Sequence, residues 1–147
     1  MPSERDIGFE IRTLSNLIRR DVEKNIAAMD PKPNGRVHGW AINYFYENRG
    51  RDIFQKDFEE KFLIRRSTAS NMLKLMEKDG YIKRVSVEND ARLKKIVLTD
   101  KAIKTHTAIC RDIAAREKRL RKGLTDEELE AFFRIVEKLK KNMENAE

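Results

Sequence analysis

The chain has 147 residues, 39% of them charged, with 32 Lys and Arg against 25 Asp and Glu and a formal net charge of +7. That length suits one domain with its own core, needing neither disulfide nor metal to fold. The acidic residues exclude a basic tail that coats polyanions indiscriminately, and the single cysteine, Cys110, excludes an internal disulfide and fits a reducing compartment. No apolar run approaches the ~20 residues of a membrane span. Residues 1–12 carry Glu4, Asp6 and Glu10 and do not read as a secretory signal. The expected location is the cytoplasm.

Apolar residues at Ile7, Ile11, Leu14, Ile18, Val22 and Ile26, widened by Leu17 and Met29, recur every three or four positions and predict a helix over 7–29. Asp30, Pro31, Lys32, Pro33, Asn34 and Gly35 stop it, since two prolines and an Asn-Gly pair cannot continue a helix. A second helix is expected over 36–47, holding Val37, Trp40, Ala41, Tyr44 and Phe45. Asp52, Ile53 and Phe54 then read as extended. A third helix over 55–62 places Phe58 and Phe62 one turn apart.

The fourth helix, 66–79, carries the most information. Ala69, Met72, Leu73 and Met76 share one face, while Arg66, Ser67, Ser70, Asn71 and Lys74 share another, and Gly80 follows as a C-cap. Residues 81–87 alternate like a strand, 95–98 read as its antiparallel partner, and 88–94 as the loop between them. A long helix over 99–121 follows, with Ile103, Cys110, Ile113, Ala114 and Leu120 roughly in phase. Lys122 and Gly123 break it. Thr125 and Glu128 form a capping box for a last helix that stacks Leu129, Phe132, Phe133, Val136, Leu139 and Met143.

The order helix, helix, short strand, helix, helix, hairpin is that of a winged helix-turn-helix: mainly α with a small β-hairpin wing. A helix fits the major groove of duplex DNA and presents short polar side chains to base edges. Ser67, Ser70, Asn71 and Lys74 stand at i, i+3, i+4 and i+7, so one face offers all four. The pattern alone is also that of a solvated amphipathic helix; the hairpin behind it favours DNA. Two arginines, Arg65 and Arg66, stand where such a helix begins, and arginine is a poor N-cap. Either Ser67 caps a slightly shorter helix, or the arginines exchange cap stability for phosphate contact.

Three stretches carry a family resemblance. Asp90 and Arg92, followed by Leu98 and Thr99, match a D-x-R wing tip with a strand ending in Leu-Thr. Ser67, Thr68, Ala69 and Ser70, then Leu73, Met76, Glu77, Lys78 and Gly80, match a recognition helix. Leu124, Thr125, Asp126, Glu127 and Glu128 through Lys138 and Leu139 match a terminal helix. In this order the chain closely resembles the MarR family from Ile7 to Asn142. The resemblance implies one domain over 1–147, in which 36–99 form the DNA-binding lobe and 1–35 with 100–147 a helical dimerisation region. It implies a sequence-specific regulator of double-stranded DNA, a ligand-responsive repressor acting as a homodimer on a near-palindromic operator. The recognition helices would stand roughly 34–36 Å apart. Arg92 becomes the minor-groove contact and Asp90 its orienting partner; a narrow minor groove concentrates negative potential that suits a guanidinium. Arg65, Arg66, Ser67, Thr68, Ser70, Asn71, Lys74 and Lys94 complete the expected DNA-contacting set. Relatives bind small aromatic anions, which makes Ser15, Trp40, Asn43 and Tyr44 candidate pocket residues, although Trp40 also reads simply as core.

No catalytic constellation is legible, no cofactor is implied, and the chain does not read as an enzyme. His106 and Cys110 lie four residues apart, a spacing for half a metal site that more often arises by coincidence. Cys110 reads as a small buried hydrophobe rather than an oxidant sensor. The competing function is a non-enzymatic winged-helix module whose recognition face binds protein; Arg92, Lys94 and Lys95 have no obvious purpose in an apolar protein interface.

Overall fold

The computed structural model describes residues 5–29 and 38–146, with the side chains of all of these except 26–29. The elements are α1 (Ile7–Met29), α2 (Gly39–Glu47), α3 (Gln55–Phe62), α4 (Arg66–Lys78), β1 (Ile82–Val87), β2 (Asp90–Leu98), α5 (Asp100–Arg121) and α6 (Asp126–Glu144). The predicted helix stop at 30–35, the predicted helical residues Arg36 and Val37, and the side chains of Ile26 and Met29 lie outside the described residues. Contacts divide the chain into residues 1–112 and 113–147, with the boundary inside α5.

The first unit is organised by an aromatic cluster. Phe45 and Phe58 are buried with ring centroids 5.4 Å apart, Phe62 lies 4.9 Å from Phe58, and Tyr44 meets Phe62 edge-on at 5.7 Å. Ile42, Ile53, Ala69, Leu73, Met76, Tyr81, Ile82 and Ile96 extend this core through α2, α4 and the hairpin. α4 therefore buries Ala69, Leu73 and Met76 at helical spacing; Met72 is only half-buried.

Several boundaries differ from expectation for local reasons. His38 is the N-cap of α2, with φ −78° and ψ 70°, so that helix begins at Gly39 rather than at 36. α4 ends at Lys78; Asp79 is its C-cap and Gly80 adopts φ +82°, the left-handed conformation that glycine takes without a Cβ penalty. Tyr81 precedes β1, and Thr99 precedes α5. On α5 the buried residues are Ala102, Ile109 and Arg116, whereas Ile103 is 44% exposed and Cys110 is half-buried.

β1 and β2 pair antiparallel from Ile82↔Leu98 to Ser86↔Lys94, and then the register jumps to Val87↔Asp90. The turn is thus only Glu88 and Asn89, not the seven-residue loop expected over 88–94. The surplus residues Ala91, Arg92 and Leu93 form an irregularity inside β2. Bulges of this kind bend a strand and re-aim its side chains. Phe54 pairs with Lys95 as an isolated bridge, and Ile96 N–H donates to Ile53 C=O at 2.7 Å, so the stretch before α3 is a stub of third strand.

In the second unit, Thr125 caps α6 as its sequence predicts. Its Oγ1 accepts from Glu128 N–H at 3.1 Å, and the Glu128 carboxylate accepts from Thr125 N–H at 2.8 Å. α6 buries no residue in the single chain; Phe132, Phe133, Ile135 and Met143 are about half exposed or more. Among the described residues no helix is long and apolar enough to cross a membrane.

Candidate nucleic-acid interface

α3, a three-residue turn and α4 form a helix-turn-helix. Asp57, in the first turn of α3, accepts the Phe54 N–H at 2.8 Å. At the other end Leu63 adopts φ 52°, ψ 43°, and its N–H bonds back to Glu59 C=O. Left-handed backbone costs an L-residue roughly 1–2 kcal/mol, and the tight turn requires it. α4 then starts at Arg66, with Arg65 as an extended N-cap that makes no side-chain capping bond. This excludes Ser67 as the cap of a shorter helix. The helix thus begins without a side-chain cap from Arg65, beside two exposed arginines.

Arg65, Arg66, Ser67, Thr68, Asn71 and Lys74 are all exposed. Ser70 differs from its neighbours. It is half-buried, and its Oγ accepts from Gln55 Nε2 at 3.0 Å, while the same Nε2 approaches Arg66 C=O at 3.4 Å. Gln55 thereby ties the start of α3 to the first turns of α4, and Ser70 serves that tie.

The wing stands beside the same helix. Arg84 on β1 donates from Nε to Glu77 on α4 at 2.9 Å. That bond from Arg84 holds the Glu77 carboxyl below its ordinary value. Asp90 Oδ1 accepts the main-chain N–H of Arg92 at 2.9 Å. Asp90 therefore orients the backbone from which Arg92 projects, and not the guanidinium itself. Between α3, α4 and the wing lies a cleft of about 560 Å³ lined by Lys56, Arg66, Arg84, Arg92 and Lys94, with Glu59 as its one acidic lining residue. Five cations around a concave surface focus positive potential and attract polyanions.

Four expected site residues, Arg66, Ser70, Arg92 and Lys94, meet at this cleft. Gln55 and Lys56 also line it and were missed: nothing in their local sequence sets them apart, and only the packing of α3 on α4 brings them there. Asn71 and Lys74 lie further along the exposed face of α4.

The four candidate pocket residues do not converge in this way. Ser15 is exposed on α1. Trp40 is 54% exposed, not core. Tyr44 packs on Phe45 and Phe62, and Asn43 Oδ1 faces His106 Nε2 at 3.0 Å.

Residues 35–93, which hold the helix-turn-helix and most of the wing, match the sequence profile described as MarR family. The chain is 29% identical over 140 residues to the uncharacterized HTH-type transcriptional regulator YybA of Bacillus subtilis (strain 168), covering 95% of this chain and 87% of that one. The transcription regulator MarR from Oenococcus oeni PSU-1 superposes with TM-score 0.76 at 26% identity, covering 92% and 99% of the two chains. Over its DNA-binding segment this chain is similar to the MarR family. With these likenesses it is a non-enzymatic, DNA-binding transcription regulator with a winged helix-turn-helix. Two further structures share the fold. MepR of S. aureus in its DNA complex gives TM-score 0.79 at 22% identity, covering 97% and 99% of the two chains. The heme sensor protein PefR from Streptococcus agalactiae, in complex with heme, gives 0.65 at 27% identity, covering 95% of each.

Proposed function

We propose that the chain is a ligand-responsive repressor that binds a near-palindromic operator as a homodimer. The observation that carries this reading is the convergence of Arg66, Arg92 and Lys94 with Lys56 and Arg84 on one cleft between recognition helix and wing. α4 enters the major groove, with Ser67, Thr68, Asn71 and Lys74 toward bases and Arg65 and Arg66 toward phosphate. Arg92, projecting from the irregular stretch of β2, enters the adjacent minor groove; Asp90 sets its backbone and Lys94 takes a phosphate. The segment 36–99 is the DNA-binding lobe. The site of action is the cytoplasm.

Dimerisation is supported by apolar surface that each unit leaves uncovered. Ile7, Ile11, Leu14 and Leu17 on α1 are 45–60% exposed, as are Phe132, Phe133 and Ile135 on α6 at 48–52%. Contiguous apolar patches of this kind are rare on monomers and mark association surfaces. A second copy covers them, assigning 1–35 and 100–147 to the dimer region. A small aromatic anion as effector rests on the family resemblance alone, because Ser15, Trp40, Asn43 and Tyr44 do not converge on one pocket. Titration of Trp40 fluorescence with phenolic acids tests it, and no response to any of them removes that ligand class.

The deciding experiment is selection from random duplexes at about 150 mM salt, the physiological range, with mass determined by light scattering. Enrichment of a near-palindrome by a dimer is the expected result. A folded dimer that enriches nothing, or whose DNA affinity is insensitive to salt, would favour the protein-interaction module instead.

A further inference from the structure

The contact between α2 and α5 holds a cluster that DNA binding does not use. Asn43 on α2 and His106 and Cys110 on α5 bring three donor atoms close together. His106 Nε2 is 3.0 Å from Asn43 Oδ1 and 3.2 Å from Cys110 Sγ, and Sγ is 3.6 Å from Oδ1. The supports are in place around them. Tyr46 stacks on the imidazole, with centroids 3.6 Å apart and planes at 15°, and Arg49 covers the far face of Tyr46 at 3.8 Å. The Asn43 amide nitrogen donates to Glu47 at 3.3 Å, which turns Oδ1 inward.

We propose that Cys110 Sγ, His106 Nε2 and Asn43 Oδ1 form a three-donor site for a thiophilic divalent ion, Zn²⁺, with the fourth position open to water. The three separations suit the ion, and because Sγ also lies 3.8 Å from His106 Nδ1, beside the ring, the imidazole must turn to aim Nε2 at a shared centre. A point ~2.1 Å from all three donors, a mean of Zn–S, Zn–N and Zn–O lengths, lies about 0.9 Å off their plane. An ideal tetrahedral centre with bonds of that length stands about 0.7 Å off it. The donor set is borderline-soft, as Zn²⁺ prefers. Burial, and then the nearby Arg49, lower the His106 pKa against the opposing pull of Glu47. Binding displaces the thiol proton to solvent and moves the imidazole proton to Nδ1. Glu47 offsets the repulsion from Arg49, and the thiolate cancels one of the ion's two charges.

The test uses the full-length protein after chelator treatment, titrated with Co²⁺ as a coloured probe and then with Zn²⁺. One Co²⁺ per chain with a thiolate-to-cobalt charge-transfer band, displaced by Zn²⁺, is expected. Cys110→Ser abolishes the band. His106→Ala, checked for folding by circular dichroism, weakens binding at least tenfold, and Asn43→Asp, which supplies a carboxylate, strengthens it. Zn²⁺ raises the melting temperature of the wild type and not of Cys110→Ser. No band at one equivalent overturns the proposal. Unchanged affinity in a folded His106→Ala also overturns it, since the metal would then sit on the thiol alone as an adventitious ion only. Neither result bears on DNA binding, which is measured separately.

Discussion

Arg92→Ala separates the wing's contribution to binding from its contribution to folding. Arg92 is exposed, and its guanidinium makes no hydrogen bond or ion pair with the described residues; only its main-chain N–H is engaged, by Asp90. Removing the side chain should therefore change stability by less than about 0.5 kcal/mol. Its loss from the DNA complex should cost about 1–3 kcal/mol per half-site. In the proposed dimer, which carries two wings, operator affinity falls by ~2–6 kcal/mol, which is at least about thirtyfold. Each lost cation should also flatten the plot of log K against log salt by ~0.9, or about 1.8 for the pair. Fluorescence anisotropy with operator and scrambled duplexes, from low to high salt, reads both quantities, and thermal melting provides the control. Lys94→Ala is the comparison: as a phosphate contact it should weaken both duplexes alike. A fall of less than about threefold for Arg92→Ala, or an unchanged salt slope, would refute the minor-groove assignment. A large drop in melting temperature would show that Arg92 supports the fold instead.

Three further outcomes follow from the same region. Gly80→Ala, at φ +82°, should destabilise the protein by about 1–2 kcal/mol in a urea titration, because alanine pays the left-handed penalty that glycine avoids. Gln55→Ala should lower DNA affinity several-fold with little change in melting temperature, since it frees Ser70 and loosens the first turns of α4; unchanged affinity would show the tie to be incidental. The Arg84–Glu77 pair depresses the folded-state pKa of Glu77, so its stabilisation is present above the unfolded value and is lost as pH falls through the lowered folded value. Both side chains are partly exposed, so the pair contributes no more than about 1 kcal/mol. Glu77→Gln should remove that acid-side dependence from pH-dependent unfolding curves.

Features fixed by local chemistry were legible in the sequence. The helix at 55–62 matches α3 to the residue, Gly80 ends α4 by its conformation, and Thr125 with Glu128 builds the expected box. What escaped depends on tertiary packing. The outward pattern of α4 gives no sign that Ser70 faces Gln55, fifteen residues away in sequence. The register jump that sets Arg92 inside β2 is invisible to alternation, which reads three surplus residues as loop. Trp40 reads as core because tryptophan usually is, yet here it is 54% exposed. The His106–Cys110 spacing is uninformative until α2 brings Asn43 beside it.

The junction between β2 and α5 bears on how a signal could reach DNA. Thr99 N–H donates to Tyr81 C=O at 3.0 Å, and Thr99 Oγ1 donates to Gly80 C=O at 2.5 Å. Lys101 Nζ donates to Asp79 C=O at 2.8 Å and lies 4.3 Å from the Tyr81 ring centroid. The first turn of α5 is thus stapled to the C-terminal end of the recognition helix, where carbonyls favour a cation. Tyr81 is fully buried, so the staple is anchored in the core rather than on a loose surface. The other end of α4 is held by Gln55, and its last turn is held again by Glu77 to Arg84 on the wing. α4 is therefore fixed at three points to three different elements. A displacement of the first turn of α5 cannot be absorbed by a flexible link, because the staple contains none. It must either break several hydrogen bonds, at about 1 kcal/mol each, or carry the recognition helix and wing with it. Under the proposed ligand-responsive reading, a displacement of the start of α5 would therefore be carried to the recognition helix and wing.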